Sequence, residues 1–260
     1  MNSTLEVIQH RRSLRNFSEQ PLAEDEKDAI LQAAYRSPTA GNMMLYSIIE
    51  VEDQALKDRL AETCDHQPFI AKSPFVLLFL ADYQRWYDYF MLSGAAQKAE
   101  ELGLPNRPPQ EGDLLLACCD ALIAAQTAVI AAESMGIGSC YIGDILENYE
   151  THREMFDLPR YVLPVTLLVF GRPASGAMPS GTTPRFAPEF IHHRNRYRRF
   201  NPEEFDRMYA HLNERLRGMA KRPFGAENVG QATYLRKFVS EFSVEMSRSA
   251  REMIKNWQSN

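Results

Sequence analysis

Three guanidinium groups and a hydroxyl fall within five residues at Arg11-Arg12-Ser13-Leu14-Arg15, inside the run His10 to Phe17. Arginines gathered at the end of a helix can grip a phosphate through charge-assisted, partly bidentate bonds. The same residues could be a solvated basic face that complements the negative end of a helix dipole. Other segments must decide. Ser37-Pro38-Thr39-Ala40-Gly41-Asn42 is a polar turn, able to offer N–H and hydroxyl groups to a ligand at close range. Gly136 to Asp144 stops a helix at one glycine and ends a short strand at another. A glycine before an acidic residue lets backbone approach a flat ligand with no Cβ in the way. Gly136, Gly138 and Gly143 are not a dinucleotide fingerprint, because they follow a helix instead of opening one.

The remaining reactive residue types carry less. Cys64, Cys118, Cys119 and Cys140 contain no C-x-x-C pair and read as reduced thiols in a cytoplasmic protein, with no metal site. His192 to Arg199 is basic around Tyr197, a pattern that could contact phosphates and stack a base. The net charge of −5 argues against bulk nucleic-acid binding, which favours a basic domain. Adjacent His192 and His193 rarely share a metal.

The elements that must position these groups follow from periodicity. Ser3 and Glu6 have capping-box spacing ahead of a short helix with Leu5, Val7 and Ile8 on an apolar side. Glu24 to Arg36 reads as a helix with Ile30, Leu31, Ala33 and Ala34 inward, ended by Ser37-Pro38. Tyr46 to Glu52 is a strand and Gln54 to Cys64 a helix. Gln67-Pro68-Phe69 is a bend. Phe75 to Ala81 is a strand whose unbroken apolar run predicts burial on both faces. Asp82 to Leu92 is an aromatic helix. Asp113 to Met135 approaches the ~20 residues a membrane span needs. Asp120, Gln126 and its many alanines favour a central buried helix instead. Val162 to Phe170 is a strand whose pairing is expected to start after Pro164. Phe205 to Leu216 and Gln231 to Trp257 are helices. No secretion signal opens the chain.

The segments H-R-R-S-L-R-N-F, S-P-T-A-G-N, Gln67 before a buried strand, A-A-E-S-M-G-I-G-S-C-Y-I-G and the late T-P-R-F stand in a telling order and spacing. Together, from Ser3 to about Tyr197, they resemble the FMN-dependent nitroreductase family. The likeness is closest to its oxygen-insensitive A-type and flavin reductase P branch. The resemblance implies an α+β fold, a mixed, mainly antiparallel sheet wrapped by helices. It implies an FMN-binding domain over 1–200, with 201–260 as a helical extension of the same domain that embraces a homodimer partner. It implies FMN sites at the subunit interface and NAD(P)H as co-substrate. Arg11, Arg12, Ser13 and Arg15 would hold the FMN phosphate, ribityl chain and pyrimidine edge, with Arg185 as a further phosphate contact. Pro38, Thr39, Gly41 and Asn42 would line the site from the second subunit. Gln67 would bond the ring's polar edge, and Tyr141, Ile142 and Gly143 would lie along it. Thr183 stands where A-type members often carry a lysine, a role Arg172 or Arg11 could fill.

On this reading the flavin carries the chemistry and no side chain is nominated as catalytic. Nitroaromatics, quinones, azo compounds or free flavin would take electron pairs in ping-pong turn. Lys221 and Arg222 could meet an NADPH 2′-phosphate. The rivals are a reductive dehalogenase or flavin-modifying enzyme of the same fold, and an RNA-binding or interaction protein acting through His192 to Arg199.

Overall fold

The computed structural model describes residues 2–178, 181 and 183–259. In chain order its elements are α1 (Ser3–His10), α2 (Glu24–Tyr35), β1 (Tyr46–Glu50), α3 (Gln54–Thr63), β2 (Phe75–Asp82), α4 (Gln84–Leu92), α5 (Ala95–Glu101), α6 (Glu111–Ser134), β3 (Gly138–Ile142), α7 (Tyr149–Met155), β4 (Val162–Gly171), α8 (Pro202–Arg217), α9 (Val229–Thr233) and α10 (Glu241–Gln258). Two compact units result: Met1–Thr182 with Glu245–Asn260, and Thr183–Val244. This spatial division differs from a boundary at residue 200. The last helix returns to the first unit, where Trp257 is buried, donates from Nε1 to Gln110 O at 3.1 Å and packs edge-on against Tyr161.

In the first unit the strands form one sheet in the order β1-β2-β4-β3, with every pair antiparallel. The parallel component of the expected mixed sheet is, among the described residues, a single isolated bridge between Ser13 and Ser139. Every residue of β2 is buried, as its apolar run predicts. Alternate side chains supply different cores: Phe75, Leu77 and Phe79 pack with α2 and α6, while Val76, Leu78 and Leu80 pack with Leu60, Ile70 and Ile145. Each such side chain contributes about 1.5–3 kcal/mol of hydrophobic burial.

Helix α6 is long and apolar enough to cross a membrane by length and composition. Here its alanine face, Ala117, Ala121, Ala124, Ala125, Ala128 and Ala132, is fully buried in the unit. The small side chains let α2 and the sheet come close.

Four local readings need correction. Asn2, not Ser3, caps α1, accepting from Leu5 N–H at 3.0 Å. Leu5 and Ile8 on that helix are exposed. Strand β4 pairs from its first residue, Val162 against Asp82, with Pro164 inside it. The proline is tolerated because β4 carries an extra residue beside it, Val165, where Phe79 pairs with Thr166 and Leu80 with Pro164, and because the β3 pairing reaches only to Leu167. The helix expected over 231–257 is broken: a π-helical turn, Tyr234–Phe238, separates α9 from α10.

The second unit is held by a small core of Leu216, Ala226 and Ala232 and by a chain of aromatic contacts among Phe190, Phe200, Phe205 and Tyr209. Helix α8 has Pro202 at its first position and a reciprocal cap between Asn201 and Glu204.

Candidate active site

At the end of α1 the chain turns extended at Arg11 and runs beside β3, with Leu14 N–H donating to Ser139 O at 2.8 Å. This approach depends on Gly138: a Cβ there would lie 2.6 Å from Leu14 Cδ2 and 2.8 Å from Leu14 Cβ. Phe17 uses the same device at Gly171, where a Cβ would meet its ring at 2.7 Å. Leu14 is buried and Phe17 half-buried, and the residues on either side of Leu14, Ser13 and Arg15, are exposed. Extended chain thus turns Ser13 and Arg15 away from the side on which Leu14 is buried.

The polar groups converge. The Arg15 guanidinium lies 6.0 Å from the Phe69 ring centre. Burial pushes the Cys140 thiol up, against the pull of Arg15, Ser13 and Arg11, all close enough to act on it. Burial likewise pushes the carboxyl of Glu133 up to about 7, although Arg11 pulls it down. Tyr141 donates from its hydroxyl to Gln126 Oε1 at 3.2 Å. Burial pushes that phenol up to about 12, so it stays neutral at physiological pH. Gln67 donates from Nε2 to Asp144 Oδ2 at 2.7 Å, which joins its bend to the residue after Gly143. Gly143 is exposed and opens a 3-10 turn, Gly143–Leu146, with open space where a Cβ would stand. Between Tyr141 and Gly143, Ile142 buries its side chain in the core. Arg12 donates to Gly181 O at 3.0 Å.

The turn before β1 is built differently. Gly41 and Asn42 both take positive φ, 56° and 57°. Thr39 Oγ1 accepts from Met44 N–H at 2.7 Å. Asp120, 2% exposed on α6, accepts from Ala40 N–H at 2.9 Å and Leu45 N–H at 3.1 Å. Pro38 is exposed beside it. This turn leads into β1, whereas Arg11 to Arg15 lie along β3, the opposite edge strand. Three inter-strand spacings separate the edges, about 14 Å. One chain therefore does not bring Pro38, Thr39, Gly41 and Asn42 to Arg11, Arg12, Ser13, Arg15, Gln67, Tyr141 and Gly143.

Arg185 belongs to the second unit, is exposed and donates to Thr183 O at 3.2 Å. Lys221 and Arg222, in the same unit, are exposed. Arg172 does not serve as a spare phosphate ligand: its guanidinium is paired with Glu26, which also accepts from Ala23 N–H at the start of α2. The basic run 192–199 is partly used within its own unit. Arg198 pairs with Glu204 at 2.5 Å and lies 4.8 Å from the Phe200 ring centre, and His193 packs on Tyr197. All four cysteines are free, and burial raises the Cys64, Cys118 and Cys140 thiols. Among the described residues no group of three His, Cys, Asp or Glu is placed to hold a metal.

Sequence reasoning missed Asp120, Asp144, Glu133 and Phe69. Asp120 carried a usable signal, since an acid on an apolar helix must find partners when buried. Asp144 carried none beyond its place after Gly143.

Residues 8–172 match the model of the Nitroreductase family, and the chain belongs to that family. It is 34% identical over 207 residues to an FMN reductase (NADPH) of Bacillus subtilis, covering 79% of this chain and 78% of that one. It is 31% identical over 216 residues to an oxygen-insensitive NADPH nitroreductase of Salmonella typhimurium, covering 83% and 82%. The crystal structure of nitroreductase A from Vibrio parahaemolyticus shares the fold, with a TM-score of 0.79 at 22% identity over 97% of this chain and 98% of that one.

Proposed function

We propose that this chain is an FMN-dependent NAD(P)H oxidoreductase, reducing flat acceptors such as nitroaromatics, quinones or free flavin by two electrons in ping-pong turn. The observation that carries the reading is the convergence of Arg11, Ser13 and Arg15 with Gln67 and the bare backbone of Gly143 on one exposed edge of the sheet. The donor set fits the cofactor: guanidinium groups for its phosphate and electron-rich pyrimidine edge, and a glycine where a planar ring needs close approach. When bound, FMN supplies the hydride chemistry that no side chain here could. Arg11 and Arg15 favour negative charge on the bound group by fixed, preorganised attraction. Tyr141, a neutral phenol, flanks the site without adding charge.

The working form is a homodimer. Leu5 and Ile8 on α1, and Leu115, Leu116, Leu122 and Ile123 on α6, are 40–66% exposed. On α6 they recur at helical spacing on the face away from its buried alanines. Such stripes are what a second copy covers. That copy would bring its Thr39 turn to the arginine edge. The free thiols suit the reducing cytoplasm.

The test is an absorption spectrum of the purified protein, loaded with FMN, before and after anaerobic NADPH. The expected flavin bands bleach, and they return with a nitroaromatic or quinone. A dimer that stays colourless and refuses FMN ends the proposal. A panel that includes halophenols separates a reductive dehalogenase of the same fold.

A further inference from the structure

The bend carrying Gln67 is held at both ends: Gln67 N–H donates to Ala61 O at 2.8 Å, and Ile70 N–H donates to Gln67 O at 3.1 Å. Its side chain is held too. Nε2 lies 2.9 Å from Cys64 O and 2.7 Å from Asp144 Oδ2. Both neighbours are acceptors, so the amide atom between them must be the NH2 group, and both its protons are used. Turning the amide over would set its oxygen against a carbonyl and a carboxylate. It would lose two hydrogen bonds, one of them to a charged partner. What Gln67 has left to offer a ligand is Oε1.

Behind Asp144 stands Glu147, 5% exposed, its Oε1 without a hydrogen-bond partner among the described residues. Glu147 N–H donates to Asp144 O at 3.0 Å, which closes the 3-10 turn and fixes the two carboxyl groups together. Burial first, then Asp144, with Asp65 and Glu245 in the same sense, push the Glu147 carboxyl up to about 8. It therefore favours its protonated form at neutral pH and does not set a second full negative charge beside Asp144.

We propose that Asp144 is a positioning residue which locks Gln67 as a pure hydrogen-bond acceptor, so that position 67 selects the single ring N–H on the pyrimidine edge of the flavin over the carbonyl oxygens that flank it. The proposal rests on the flavin reading above. The Gln67 amide donates both its protons, to the Asp144 carboxylate and to Cys64 O. Gln67 Oε1 is left to receive a proton donor.

FMN labelled with nitrogen-15 at that ring nitrogen tests it without an activity assay. In the wild-type protein the bound N–H is expected downfield and slow to exchange by NMR. Gln67→Ala abolishes the protection. Asp144→Ala frees the amide to turn over, speeds exchange and weakens FMN binding on the order of tenfold, the value of one hydrogen bond. Asp144→Asn, whose amide oxygen still accepts from Gln67, restores both. Loaded wild-type protein whose ring N–H exchanges as fast as in free FMN overturns the proposal with no variant needed. So does equal protection in wild type and Asp144→Ala. Wild-type protein that takes up no FMN overturns the flavin reading itself, a separate outcome.

Discussion

At the β3 edge the segment Arg11 to Arg15 is held by shape: Leu14 and Phe17 sit where Gly138 and Gly171 have no side chain. At the β1 edge the turn from Thr39 to Leu45 is held by charge, through one buried carboxylate that accepts two backbone N–H groups. The first arrangement leaves Ser13 and Arg15 exposed on either side of the buried Leu14. The second holds a turn with three positive-φ residues, Gly41, Asn42 and Met44, although almost none of it is buried. A shape-held edge fails when a methyl group is added, and a charge-held turn fails when a carboxylate is removed.

The largest test sets the two edges against each other. Arg11→Ala with Arg15→Ala in one chain should weaken FMN binding more than a hundredfold, since each lost charge-assisted bond is worth about 1.5–3 kcal/mol. Thr39→Ala with Asn42→Ala should weaken it from the other side. Co-expressing the two defective chains should restore about a quarter of the sites, because random pairing gives half heterodimers with one intact site each. Fluorescence titration counts them, and no recovery would mean that both edges act within one chain. Next comes Asp120→Ala, which strands the N–H groups of Ala40 and Leu45. Stability should drop by about 3 kcal/mol, a fall in Tm of roughly 10 °C by calorimetry. An unchanged Tm would show that the turn has another support.

Gly138→Ala should cost about 2 kcal/mol by overpacking and should weaken FMN binding as well, since the arginines ride on Leu14. Loss of stability with FMN affinity intact would uncouple the two. The smallest effect concerns Glu147. Its carboxyl is raised in the folded protein to about 8, so it favours folding at low pH. That contribution is lost as pH rises from the ordinary carboxylate range through 8. Glu147→Gln should flatten this decline and leave the variant about 1 kcal/mol more stable than wild type at pH 8 by urea melts, with little difference at pH 5. Parallel curves would remove the assignment.

The arginine segment was legible because its chemistry is local: guanidinium groups, a hydroxyl and a helix end are neighbours in the chain. The double burial of β2 was legible from its unbroken apolar run, and the bare Gly143 from its place before Asp144. Asp120 read only as an interruption of an apolar helix, because its partners at Ala40 and Leu45 are far off in sequence. The break between α9 and α10 escaped because the apolar period continues across it. Pro164 misled because the bulge beside it, at Val165, shows only against the register of β2.

Residue order alone determined which groups could meet an anionic, planar ligand, and that the unbroken apolar run of β2 would be buried on both faces. Only the tertiary structure decided that the arginines and the Thr39 turn stand on opposite edge strands, and that Asp144 reaches Gln67. Strand order and carboxylate-to-amide contacts come from how the sheet packs against its helices as a whole, a global balance of burial that no single segment encodes.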